Sequence, residues 1–181
     1  MGKNSSIEWT DHTFNPWIGC TKISPGCDNC YAEQFGKRFG INWGARSPRR
    51  LTAAGNWAQV RRWNRDAKKA GHTARVFCAS LADVFDNEVP DAWLNLLWDL
   101  IKKTPDLTWI IVTKRIGNAE AMLPADWGAG YPNVTVLITV CNQDEVDRDT
   151  IKLLDLPAAR RGLSIGMLTG KAAFRSRSDA R

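Results

Sequence analysis

Three stretches of the chain are apolar at nearly every position rather than at alternate ones: Val76-Phe-Cys-Ala79, Trp109-Ile-Ile-Val112 and Val134-Thr-Val-Leu-Ile-Thr-Val140. Apolar runs of strand length predict strands covered on both faces, as in a parallel sheet. Between them the period lengthens. Trp93, Leu94, Leu97, Leu100 and Ile101 recur at helical spacing between Pro90 and Lys103, and Pro105 stops the pattern. Trp57 to Ala70, closed by Gly71, also reads as a helix, as do Asn118 to Met122 and Asp144 to Leu154. Upstream, Ile7 to Ile18 predicts a short strand running into a loop at Pro16. Tyr31, Phe35 and Phe39 then recur at four-residue intervals and predict a helix with an aromatic stripe along one face. Gly40 to Gly55 reads as a loop. Leu163 to Ile165 begins a further strand, and beyond Gly170 the chain is polar and unpatterned.

Apolar strands alternating with helices define an α/β fold with a parallel sheet, and such sheets collect functional groups at the carboxyl ends of their strands. The polar residues fall there: a cysteine cluster after the first strand, Ser80 and Asp83 after the second, Thr113 and Lys114 after the third, Cys141 and Asn142 after the fourth. About four and a half βα units are too few for a closed eight-stranded barrel, which takes about 200 residues or more. The expectation is therefore parallel-stranded βα repeats forming a partial TIM-type barrel over residues 1–160. Residues 161–181 are expected to be a divergent or truncated, poorly ordered tail.

Charge adds a second feature. The net charge is +6, but Lys37 to Arg75 holds eleven Lys and Arg against Asp66 alone, a local +10, which leaves −4 for the remainder. With Trp57 and Trp63 interleaved, this segment suits phosphate contacts and base stacking, and Arg49, Arg50, Arg61, Arg62 and Arg65 are its nucleic-acid candidates. The plainer reading is a solvated helix face with both tryptophans turned inward. No apolar run approaches the roughly 18 residues of a membrane span, so no membrane partner is expected. The N-terminus lacks the apolar core of a signal peptide, which predicts a cytoplasmic protein.

Chemistry concentrates in Cys20-Thr-Lys-Ile-Ser-Pro-Gly-Cys27-Asp-Asn-Cys30, three of the five cysteines within eleven residues. An odd, uneven set of thiols in a cytosolic chain favours metal binding over disulfides. Three thiols are one short of a closed tetrahedral zinc site, and they suit a metal or cluster that keeps one position open. Spacing alone leaves both readings standing: an iron–sulfur cluster, or structural zinc with His12 or an outside residue as fourth ligand. Cys27 and Cys30 fall in the turn opening the first helix, where free N–H groups favour thiolates. Cys78 reads as packing within a buried strand and Cys141 as a small hydrophobe at a strand end.

The chain resembles the phage-associated, radical-SAM-like three-cysteine-motif proteins, a family of phage proteins of unknown function. The resemblance rests on Ile7 to Cys20, the run Thr21 to Glu33 containing Cys27-Asp-Asn-Cys30-Tyr-Ala, Val76 to Asp86, Thr113-Lys-Arg115, and Asn133 to Asn142. The Cys-x2-Cys-Tyr-Ala ending is also similar to that of the spore-photoproduct-lyase-like branch of radical SAM proteins. The resemblance implies a [4Fe–4S] cluster on Cys20, Cys27 and Cys30, with S-adenosylmethionine on its fourth iron and an electron donor as partner. One electron from the cluster would release a 5′-deoxyadenosyl radical that takes hydrogen from a substrate the sequence does not specify. Strand-end placement makes Ser80 and Asp83 candidates for the methionyl end of the cofactor, and Thr139 and Asn142 candidates near its ribose. The chain departs from the family at Cys141, where an acid is usual, and at Gly166-Met167, where Glu-Pro is usual. The family's C-terminal third has no counterpart, so a truncated relative is expected. The alternative is a zinc-stabilised module that grips nucleic acid through residues 37–75.

Overall fold

The computed structural model describes residues 5–166. In chain order it runs β1 (His12–Phe14), β2 (Trp17–Ile18), α1 (Tyr31–Arg38), β3 (Arg50–Leu51), α2 (Ala54–Ala70), β4 (Ala74–Cys78), α3 (Asp91–Lys102), β5 (Leu107–Thr113), α4 (Ile116–Met122), β6 (Val134–Val140), α5 (Gln143–Asp155) and β7 (Arg160–Ile165). Five strands form one parallel sheet in the order β1-β4-β5-β6-β7, and β2 pairs antiparallel with β3 beside it. The expected α/β class and parallel sheet are therefore present. The strand order never reverses, so right-handed crossovers carry α2 to α5 onto one face, while α1 borders the other side.

That face holds the core. Val76 and Cys78 of β4, Trp109 and Ile111 of β5, and Val134 to Val140 at alternate positions of β6 are buried against Trp63 of α2, Leu97 and Ile101 of α3, and Val146 and Leu153 of α5. Cys78 packs there as the sequence suggested. The opposite face is less covered. Thr135, Leu137 and Thr139 of β6 are only half-buried, and register places Thr139 beside Ser164 of β7.

Several sequence expectations shift by a residue or more. The loop expected over Gly40 to Gly55 contains β3, and α2 begins at Ala54. The boundary expected after residue 160 runs inside β7, which pairs with β6 from Arg160 to Ile165. The tail beyond Gly170 lies outside the described residues.

The main difference concerns α1. Its aromatic stripe faces outward, with Phe35 42% and Phe39 60% exposed, while Ala32 and Gly36 are buried. Both sets repeat every four residues, so periodicity finds the helix and not its inner face. The small residues win because they allow close approach: a Cβ on Gly36 would stand 3.1 Å from the Trp43 ring.

Candidate functional site

β2 ends at Ile18, and Gly19 turns the chain toward the carboxyl end of the sheet. Its φ of +117° and the closeness of Arg49, 3.1 Å from a Cβ placed there, both require glycine. Cys20 follows, Cys27 closes a 3-10 turn over Pro25–Cys27, and Cys30 is the N-cap residue of α1. Gly26 rests on the end of β6, where a Cβ would meet the Cys141 sulfur at 2.5 Å. Cys141 is thus a packing contact beneath the cysteine loop, as well as being buried itself.

The three thiols share one cavity of about 430 Å³ with Tyr31, Phe77, Ser80, Asp83, Thr113, Lys114, Arg115, Thr139 and Ser164. It opens over the carboxyl ends of the parallel strands and runs along the less covered face of the sheet. Trp9, whose ring lies 4.8 Å from that of Phe77, lines it as well.

Charge inside the cavity is arranged around Cys20. Arg115 donates to the Thr21 carbonyl at 2.7 Å and reaches the Cys20 sulfur at 3.8 Å. Burial works against the charge on Arg115, but the Cys20 sulfur and the carboxylates of Asp86 and Asp83 outweigh it and raise its pKa. Burial pushes the Cys20 thiol up to about 11, with nearby Asp83 adding to the effect and Arg115 opposing it. The Arg115 Nε is buried without a protein partner.

The structure sorts the expected site residues. Ser80 and Thr139 line the cavity. The Ser80 hydroxyl accepts from Asn15 at 3.0 Å, and its carbonyl accepts from the Tyr31 hydroxyl at 2.8 Å. Asp83 also lines the cavity, but its oxygens accept from Thr113 Oγ1 at 2.7 Å and from the amides of Lys114 and Phe85 at 3.0 Å each. It therefore fixes the turn that presents Lys114 and Arg115, and burial raises its pKa. Asn142 does not line the cavity. It caps α5 by accepting from the Glu145 amide at 2.9 Å, while Glu145 accepts from the Cys141 amide at 2.7 Å. This resembles a capping box, and the Asn-x-x-Glu spacing was its visible signal. Arg115, Ser164 and Tyr31 are cavity residues that the sequence reading did not name as site residues, although Arg115 and Tyr31 fall in the segments that carry the resemblance. Arg115 and Ser164 reach the cavity through strand pairing that no local pattern encodes.

Two further expectations are corrected. Arg49 is not available to nucleic acid: its side chain is 1% exposed and meets Asp86, 0% exposed, at 2.7 Å. It also donates to Thr21 Oγ1, Gly44 O and Ser47 O, which ties the cysteine loop to its neighbours. His12 is no fourth ligand to these thiols: it stacks on Trp63, ring centroids 4.3 Å apart, and does not line the cavity. Trp63 is buried and Trp57 packs on the core, whereas Arg50, Arg61, Arg62 and Arg65 are exposed.

The donor chemistry fits a cluster with one open iron, since all three thiols are free of disulfides and border one cavity. Among the described residues no three His, Cys, Asp or Glu side chains stand close enough to hold a metal ion as placed.

Fold and site define a parallel α/β protein with a thiol-rimmed cavity at its strand ends. The chain belongs to the family described as "protein of unknown function (DUF5131)", whose profile matches residues 4–175. No curated protein matches it. Among solved structures it is similar to a cysteine-to-serine mutant of spore photoproduct lyase, a radical SAM enzyme, at 16% identity and a TM-score of 0.59. The match covers 91% of this chain and 47% of that one, so the chain spans about half the length of the neighbour. The likeness is one of fold. No helix among the described residues is long and apolar enough to cross a membrane.

Proposed function

We propose that the chain is an iron–sulfur protein of the radical SAM type, built on an open partial barrel, with a [4Fe–4S] cluster on Cys20, Cys27 and Cys30. The observation that carries the reading is the meeting of three disulfide-free thiols and the Arg115 guanidinium at one cavity over the strand ends. Held by Cys20, Cys27 and Cys30 and reduced by an external electron donor, such a cluster would supply one electron to the S-adenosylmethionine sulfonium, whose C–S bond would break to give methionine and a 5′-deoxyadenosyl radical able to take a hydrogen atom from a substrate.

The chain's own groups have separate tasks. Arg115 offsets negative charge at Cys20. Asp83 holds the Thr113–Arg115 turn in place over the cavity. Ser80 and Thr139 offer hydroxyls to a polar ligand on the sheet's open face, and Phe77, Val112 and Trp9 give that face an apolar floor that excludes water.

Anaerobic reconstitution with iron and sulfide tests the reading. The expected product is a brown chain with equal iron and sulfide, lost on Cys27→Ala. S-adenosylmethionine with a reductant should then yield 5′-deoxyadenosine. A colourless chain that retains zinc, and releases it on the same substitution, would sink the proposal.

A further inference from the structure

A second cavity, also about 430 Å³, lies outside the thiol site between α1, β3 and the start of α2. It is lined by Phe35, Phe39, Arg50, Leu51, Thr52 and Asn56 among others, and Arg50 is its sole charged lining residue. Phe35 and Phe39 stand with ring centroids 4.7 Å apart and are both solvent-exposed. Their exposure follows from the Ala32–Gly36 packing of α1, which turns the aromatic stripe away from the core. The long helix α2 points its N-terminal end at the same groove, with Ala53 as an N-cap that makes no side-chain hydrogen bond and no acid in its first turn. Of the two bases in the last turn of α1, Lys37 is paired with Glu33 at 3.2 Å, and Arg38 has no such pair among the described residues.

We propose that this groove binds single-stranded nucleic acid, with bases stacked on Phe35 and Phe39 and the backbone phosphates held by Arg50 and the amino end of α2. Three features favour this occupant. Exposed paired rings offer a sequence-tolerant stacking platform, since every base has a π-face. The charged residue lining the groove, Arg50, is positive and exposed and complements phosphate. The free N–H groups of an uncapped helix end donate to an anion. Trp57 and Trp63 take no part, because they pack on the core, and Trp43 lines the thiol cavity instead. The exposed Arg61, Arg62 and Arg65 do not line the groove. The inference is independent of the cluster, because the groove contains none of the thiols.

The test is fluorescence anisotropy of a labelled oligonucleotide of about 16 nucleotides, the upper end of common site sizes, with the full chain as purified. Phe35→Ala and Phe39→Ala should each weaken binding about 5-fold or more, while Phe39→Tyr retains it. Arg50→Gln should flatten the salt dependence by about 0.7 in log–log slope, the share of one phosphate contact. Circular dichroism should show all four variants folded, and surface substitutions of this kind leave the tyrosine variant as a folded reference in any case. Absence of binding would overturn the proposal. So would binding that ignores both phenylalanines but is lost on Arg61→Gln with Arg62→Gln, or polyglutamate binding as tightly as the oligonucleotide.

Discussion

Cys20 and Arg115 are 95 positions apart in sequence and meet in the cavity, where each alters the other's charge. With its pKa raised to about 11, Cys20 of the metal-free chain is a thiol at neutral pH. Its labelling by iodoacetamide should therefore climb only as pH approaches that value, followed by peptide mass spectrometry. Full labelling at mildly alkaline pH would contradict the burial that raises it. The linkage has a definite sign. A folded pKa above the unfolded one contributes stability that is present below the unfolded value and is lost as pH rises through about 11. Cluster loading must displace this proton, so it should be favoured by higher pH. Arg49 gives a second residue-scale prediction. Arg49→Met leaves Asp86 buried and unpaired and should cost about 3–5 kcal/mol in urea denaturation. Arg50→Gln, one residue on and exposed, should stay within about 0.5 kcal/mol.

At the scale of elements, the cysteine loop depends on what lies beneath it. Gly26→Ala drives a methyl group into the Cys141 sulfur, so it should lower iron uptake on reconstitution, and Gly26→Ala with Cys141→Ala should recover much of it. If the double variant loads no better than the single one, the contact does not position the loop. For α5, Asn142→Ala should cost about 1 kcal/mol through loss of the cap. It should leave S-adenosylmethionine binding to the reconstituted chain unchanged in equilibrium dialysis, because Asn142 does not line the cavity. A large loss of binding would restore the cofactor role that strand-end placement suggested.

The described residues form an asymmetric sheet with α2 to α5 packed on one face and a cavity, bordered by α1, on the other. Ile111 and Val112 are neighbours on β5 that point to opposite sides, the first fully buried in the core and the second lining the cavity. Ile111→Ala should cost about 2–5 kcal/mol by leaving a cavity in packed surroundings. Val112→Ala, on the open side, should cost clearly less, and chemical denaturation of the pair measures the difference. Equal costs would mean that both faces are packed alike. A strand order without reversal, the open face and the fold likeness to spore photoproduct lyase all bear on the same arrangement.

The apolar runs at 76–79, 109–112 and 134–140, the helices between them and the thiol cluster were legible in the chain because each is a local property. Run length, helical period and residue spacing are set by neighbours in sequence. What needed the tertiary structure was every choice between locally equivalent alternatives. Two stripes on α1 have the same period, and the tertiary packing, with Trp43 close against Gly36, makes Ala32 and Gly36 the inner one. Five candidate arginines have the same charge, and Asp86 together with Thr21 and the Gly44 and Ser47 carbonyls removes Arg49 from solvent. Asn142 stood at a strand end like Thr139, yet the helix that follows it takes its side chain as a cap. By itself the sequence determined which residues carry thiols and where the strands over 109–113 and 134–140 end, while the single strand read over Ile7 to Ile18 is two, β1 and β2, in different sheets. Parallel pairing across long separations decided which of those ends meet, and so set Arg115 against Cys20.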